Sequence, residues 1–241
     1  MKAWYFSSEN RRLRNGDGRE IRLGETHEVS GEIEMCKNGL HASKKAIDAL
    51  YYAPGTIVYR VELSGEIEKG KDKLVAQKRT YLSGGIDVSE TLRKFARMCA
   101  LDVVGIWEAP EVVIRYLKTG DKSMRGAARA TALAAAWNDA LDAARDDALD
   151  SARATARGAA RATALAAAKD DARAAAWNEA MAAARATARG AARATALAAA
   201  KDDARAGAYT ASCDEARRKQ NRRLTAMIAR AIRDAHFGGT K

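Results

Sequence analysis

The chain has 241 residues, with 42 lysines and arginines against 31 aspartates and glutamates, a formal charge of +11. That length suits one large or two modest domains. No run approaches the roughly 18 apolar residues of a membrane span, and the start Met1-Lys2-Ala3-Trp4 lacks the apolar stretch of a signal peptide, so the expectation is a cytoplasmic protein without a membrane partner. Cys36, Cys99 and Cys213 are odd in number and widely spaced, which argues against a disulfide framework, and the three histidines, His27, His41 and His236, form no zinc-type spacing.

The first 125 residues hold both prolines and nearly every valine and isoleucine, and they read as a small α+β domain. Lys2–Ser7 and Thr56–Leu63 carry the β-branched and aromatic residues of strands. Asn15-Gly16-Asp17-Gly18 is a turn signal ahead of an extended Glu20–Leu23. Ser43–Tyr52 predicts a short helix stopped by Pro54-Gly55. Asp87-Val88-Ser89-Glu90 has the form of a capping box, and Leu92, Phe95, Ala96, Cys99 and Val103 follow at helical spacing. A further helix is predicted from Pro110 to about Leu117, with Gly120 beyond its end.

Residues 126–216 form an Ala-rich repeat. Gly-Ala-Ala-Arg-Ala-Thr-Ala-Leu-Ala-Ala-Ala begins at Gly126, Gly158 and Gly190, 32 residues apart, and every fourth residue from Ala128 to Ala208 is alanine. At about 100° per residue, a period of four overshoots each helical turn by about 40°, so one unbroken rod would have no persistent face. Short helices tolerate that drift. Their Ala-x-x-x-Ala rows are the i±4 ridges that pack at about −50°, and small side chains let the backbones approach closely. The expected fold is therefore an α+β domain followed by an all-α, Ala-rich solenoid. The alternative is a narrow non-helical solenoid, against which alanine's poor strand propensity counts. Residues 217–241 are expected to close the array as a helix. Ser212-Cys213-Asp214-Glu215 serves as its capping box, and Leu224, Met227, Ile228, Ala231 and Ile232 form its apolar stripe.

Arg153, Arg157 and Arg161 recur 32 residues later as Arg185, Arg189 and Arg193. Stacked rungs would make them a ladder suited to phosphates, hence a candidate partner or anion surface, including nucleic acid. The repeated pairs Asp146-Asp147, Asp170-Asp171 and Asp202-Asp203 offer the competing reading, in which the charges pair with one another.

Five stretches together resemble a family of uncharacterised phage and bacterial proteins that join such a domain to an Ala-rich tail. They are Lys2-Ala3-Trp4-Tyr5-Phe6, Gly39-Leu40-His41-Ala42-Ser43, Arg60–Gly65, Tyr116–Asp121 and Gln220–Leu224. The likeness implies a phage or prophage setting. A second likeness covers residues 39–82. Gly39-Leu-His-Ala-Ser, Tyr52, the strand ending in Gly65, Gln77 and Tyr81-Leu82 look like the Gly-Ile-Tyr-Phe-Ala…Tyr…Gln…Tyr-Leu pattern of ADP-ribosyltransferases. It implies a nucleotide-binding region with His41, Tyr52 and Glu68 as site residues. The first strand has no histidine, however, and Glu68 stands one place from the family's glutamate. Beside these stand the readings of His41 as a hydrogen-bonded strand–helix residue and of Tyr51 and Tyr52 as core residues. No Walker loop, dinucleotide fingerprint or Gly-x-Ser-x-Gly elbow is present, so no cofactor is assigned.

The function expected from the sequence is binding rather than chemistry: a host protein, or a second copy of the chain, recognised through a rigid repeat surface, a role to which countering of host defence would be suited. Nucleotide binding by the first domain and non-specific nucleic-acid binding by the arginine rows are the alternatives.

Overall fold

The computed structural model describes residues 1–14, 17–106, 109–132 and 202–237. The chain forms two compact units, one of Met1–Thr91 with Arg223–Lys241 and the other of Leu92–Arg222.

The first unit is built on an antiparallel sheet. β1 (Lys2–Ser7) pairs with β4 (Ile57–Lys69), which pairs with β5 (Leu74–Asp87). On its other edge β5 takes two short strands in succession: β3 (Leu40–Ala42) against Leu74–Ala76 and β2 (Thr26–Glu28) against Lys78–Thr80. β4 and β5 slip register between Val58 and Tyr59, between Arg60 and Val61, and between Ser64 and Ile67. Such irregularities sharpen the twist of a sheet. One of them is held by Gly84, where φ is +104° and a Cβ would lie 2.3 Å from the Val58 carbonyl oxygen. The sheet curls until Trp4 and Ser43, just beyond β3, exchange backbone hydrogen bonds of 2.8 and 3.0 Å.

Inside the curl lie Ala3, Leu40, Ala42, Tyr59, Val61, Leu63, Leu74, Ala76 and Tyr81. Each large side chain so buried contributes about 2 kcal/mol. Alternation sends Trp4, Phe6 and Val58 to the opposite face. α1 (Ala46–Tyr51) packs beside β1 and buries Ala46, Ile47, Ala49 and Leu50. It ends as the Tyr52 N–H turns back to the Ala49 carbonyl, just ahead of Pro54.

In the second unit, Leu92, Phe95, Ala96, Cys99 and Val103 of α2 (Ser89–Leu101) and the turn after it are buried, as their spacing predicts. Asp87 starts this helix by accepting the Ser89 N–H at 2.9 Å. α3 (Glu111–Thr119) ends at Gly120 in the left-handed conformation and buries Val113, Tyr116 and Leu117. Residues 125–132 are helical. The last described element, α4 (Asp202–Phe237), runs 36 residues, and the part of it that belongs to the first unit buries Leu224, Ile228 and Ile232 from the predicted stripe.

The sequence pattern predicts no strand over β5, the strand with most partners in the sheet, and two stated expectations are corrected. Glu20–Leu23 forms no strand; Glu20 makes a single bridge to Arg12. Ser212-Cys-Asp-Glu215 caps nothing, because the helix already runs from Asp202: the alanine-rich approach has the propensity to continue and offers no proline to stop it. The array predicted over 126–216 lies outside the described residues except for its helical ends, and no helix among those described is long and apolar enough to cross a membrane.

Candidate functional site

A cleft of about 430 Å³ opens on the first unit, lined among others by Tyr5, His41, Tyr52, Lys73 and Arg79. Its volume is within the range of small-molecule sites. Arg79 is the unusual member. It sits on β5 opposite Leu63, so alternation turns it into the curl, and only 2% of its surface is exposed. Its guanidinium carbon lies 3.7 Å from the centre of the Tyr5 ring and 5.2 Å from that of Tyr81. Nη1 donates to the His41 carbonyl at 2.5 Å, while Nε and Nη2 donate to the Tyr81 hydroxyl at 3.1 and 2.8 Å. No carboxylate pairs with it among the described residues. A buried cation without a counter-ion is costly, and aromatic faces repay only part of that cost.

The hydrogen bonds fix the protons around it. Because the Tyr81 oxygen accepts twice from Arg79, its own hydrogen points to His27 Nδ1, 3.1 Å away. Neutral His27 then carries its proton on Nε2, which faces Glu25 Oε1 at 3.5 Å. Burial lowers the His27 pKa, against the pull of Glu25, and raises that of Tyr81 to about 12 although Arg79 works the other way.

At the cleft's other side, Gly39 brings β3 against β5. Its φ is +130° and a Cβ would fall 2.2 Å from Val75 Cγ2, so only glycine fits. His41 follows on β3. Its Nε2 accepts the Cys36 N–H at 3.1 Å, and its pKa is lowered by burial and then by Lys73 and Arg79. Cys36 has φ +70°, and its Sγ lies 2.6 Å from Lys73 Nζ. Lys73 also stands 4.9 Å over the ring of Tyr52. The Tyr52 hydroxyl donates to Asp72, with both carboxylate oxygens at 2.9 Å; burial and that bond raise its pKa to about 12.

Of the residues singled out in the sequence, His41 and Tyr52 thus meet in one cleft. Glu68 is not among its lining residues; its carboxylate accepts the Met35 N–H at 3.0 Å and steadies the loop that carries Cys36. Arg153, Arg157, Arg161, Arg185, Arg189 and Arg193 lie outside the described residues. Arg79, Lys73 and Tyr5 escaped the sequence reading. The one signal for Arg79 was its place between Gln77 and Tyr81, in a stretch whose alternation shows only once a strand is assumed. No group of three or more histidine, cysteine or acidic side chains that could hold a metal occurs among the described residues. The arrangement is suited to holding an anion: a fixed guanidinium at the wall, a lysine beside it, and an aromatic ring at the rim.

A family model described as a domain of unknown function (DUF7666) matches residues 10–94, which include every cleft residue just described except Tyr5. No curated protein and no solved structure matches the chain.

Proposed function

We propose that the first unit binds a small anionic ligand of the nucleotide class in this cleft. The observation that carries the reading is Arg79, a buried guanidinium without a carboxylate partner, at the wall of a cavity large enough for one nucleotide. A phosphate entering beside Arg79 and Lys73 would supply the missing counter-charge, and Tyr52, 43% exposed, offers a ring to a base. The likeness to ADP-ribosyltransferases supports the ligand class. Glu68, held by the Met35 N–H, gives no support to a transfer step, so the reading is binding alone. Calorimetric titration with NAD, ADP, AMP and inorganic phosphate tests it: heat with the nucleotides, lost in Arg79→Met, is the expected result. Silence from all four at millimolar concentration overturns it.

A second reading concerns the Ala-rich segment, proposed as a helical array that presents a protein-binding surface in a phage or bacterial host. It draws on the helical state of both described ends, residues 125–132 and Asp202 onward. Far-UV circular dichroism of the whole chain should show helix well beyond that of the described helices; no excess overturns the array.

A further inference from the structure

A second, smaller groove of about 120 Å³ adjoins the cleft, and Lys73 lines both. Five lysines border it: Lys44 and Lys45 before α1, Lys69 and Lys71 at the β4–β5 turn, and Lys73 itself. The turn is closed by the Gly70 N–H to the Lys73 carbonyl at 2.9 Å, which places the turn lysines on a defined support. Two other lysines of this unit are matched, Lys37 to Glu34 at 2.6 Å and Lys78 to Glu28 at 3.1 Å. Lys44, Lys45, Lys69 and Lys71 have no ion pair among the described residues. Of the acids at the groove, Asp72 is engaged by the Tyr52 hydroxyl and Asp48 is buried. Lys44 and Lys45 also stand before the first turn of a helix, where positive charge opposes the peptide dipoles. So many like charges are retained at a cost to stability, beside a cleft that already lacks a counter-ion.

We infer that the cleft and the lysine groove form one continuous site for the end of a single-stranded nucleic acid, with the terminal nucleotide in the cleft and the following phosphates along the lysines. This rests on the nucleotide reading of the cleft and names the ligand more narrowly. Two features select the polymer. The lysines ask for charge repeated along a chain, and the cleft, with Tyr52 at its rim, asks for a flat ring at its end. A single strand has both, with sequence-tolerant stacking and phosphate contacts. A run of acidic residues such as polyglutamate lacks the ring, and a lipid surface cannot enter the cleft.

The test compares a mononucleotide with oligonucleotides of two to eight residues, using the full chain and fluorescence anisotropy with a label on the distal end. Affinity should rise at least tenfold over the first few added nucleotides and then level off. The double variant Lys69→Glu, Lys71→Glu should lose at least tenfold for the oligonucleotide and lower the salt slope by about 1.4, two single-strand phosphate contacts. Both positions are exposed, and an unchanged thermal melt confirms folding. Affinity that does not grow with length overturns the inference, and mononucleotide binding in the same experiment leaves the cleft reading standing. Length-dependent binding that the double variant weakens, with no mononucleotide binding, overturns the cleft reading and with it the seating of the terminal nucleotide. Equal affinity for polyglutamate, or insensitivity to the double variant, overturns the inference as well.

Discussion

The two faces of the curled sheet each set an arginine against an aromatic ring, Arg79 buried and Arg60 half-buried, and the two are held differently. On the inner face Arg79 lies over Tyr5 with three hydrogen bonds from its guanidinium. On the outer face Arg60 lies 4.7 Å over Trp4, and its Nη1 is buried without a partner. Burial alone lowers the Arg60 pKa. The inner arginine is built into a network that ends at a cleft, whereas the outer one is packed by its ring. The contrast teaches that burying a guanidinium is not by itself a sign of a site; the arrangement of its donors and the open space beside it are.

The most severe way to break the inner face is Gly39→Ala. With φ at +130° and Val75 in the way, the cost should be about 3 kcal/mol or more in chemical denaturation, with loss of the cleft. Arg79→Met comes next. It strips two donors from the Tyr81 hydroxyl and one from the His41 carbonyl, so stability should fall by about 1–3 kcal/mol and ligand heat should vanish. Arg60→Leu sharpens the comparison because the sign should reverse. Removing a buried, partnerless nitrogen in favour of an apolar side chain should raise stability by about 1 kcal/mol, net of the lost cation–ring contact. A fall as large as that of Arg79→Met would erase the distinction.

The smallest effect is a pH dependence. The pKa values of His27 and His41 are lowered in the fold, so between those values and the ordinary one near 6.5 the unfolded chain binds more protons. Stability should be flat above about pH 7 and decline as pH falls through the unfolded value. His27→Gln, assayed by urea denaturation at several pH values, should shrink that decline; an unchanged slope would remove His27 from the account.

Much of the sheet was legible where residue type and structure agree. β1 and β4 are rich in aromatic and β-branched residues, and α2 shows its buried stripe at the expected spacing. β5 was not legible because Lys78, Arg79 and Thr80 interrupt its apolar residues and Gly84-Gly85 read as a break. The same glycines in fact permit the register slip that curls the sheet. His41 and Tyr52 could be found because Gly39-Leu-His-Ala-Ser and the tyrosine after it resemble a known family's pattern. Arg79 could not, since an arginine in a sequence reads as surface, and only the third dimension shows Tyr5 and Tyr81 around it. Glu68 was placed by a pattern of spacing, which carries no information on which way a strand residue turns.

β2 and β3 both pair with β5 and with no other named strand, and β5 follows them in the chain by more than thirty residues. During synthesis the half-formed edges therefore wait, unpaired, until Asp87 has emerged, and the cleft cannot exist before that moment. Non-local pairing of this kind folds slowly. The order in which the ribosome delivers the strands thus makes the hub of the sheet the last of its parts to arrive, and binding competence should appear all at once with it.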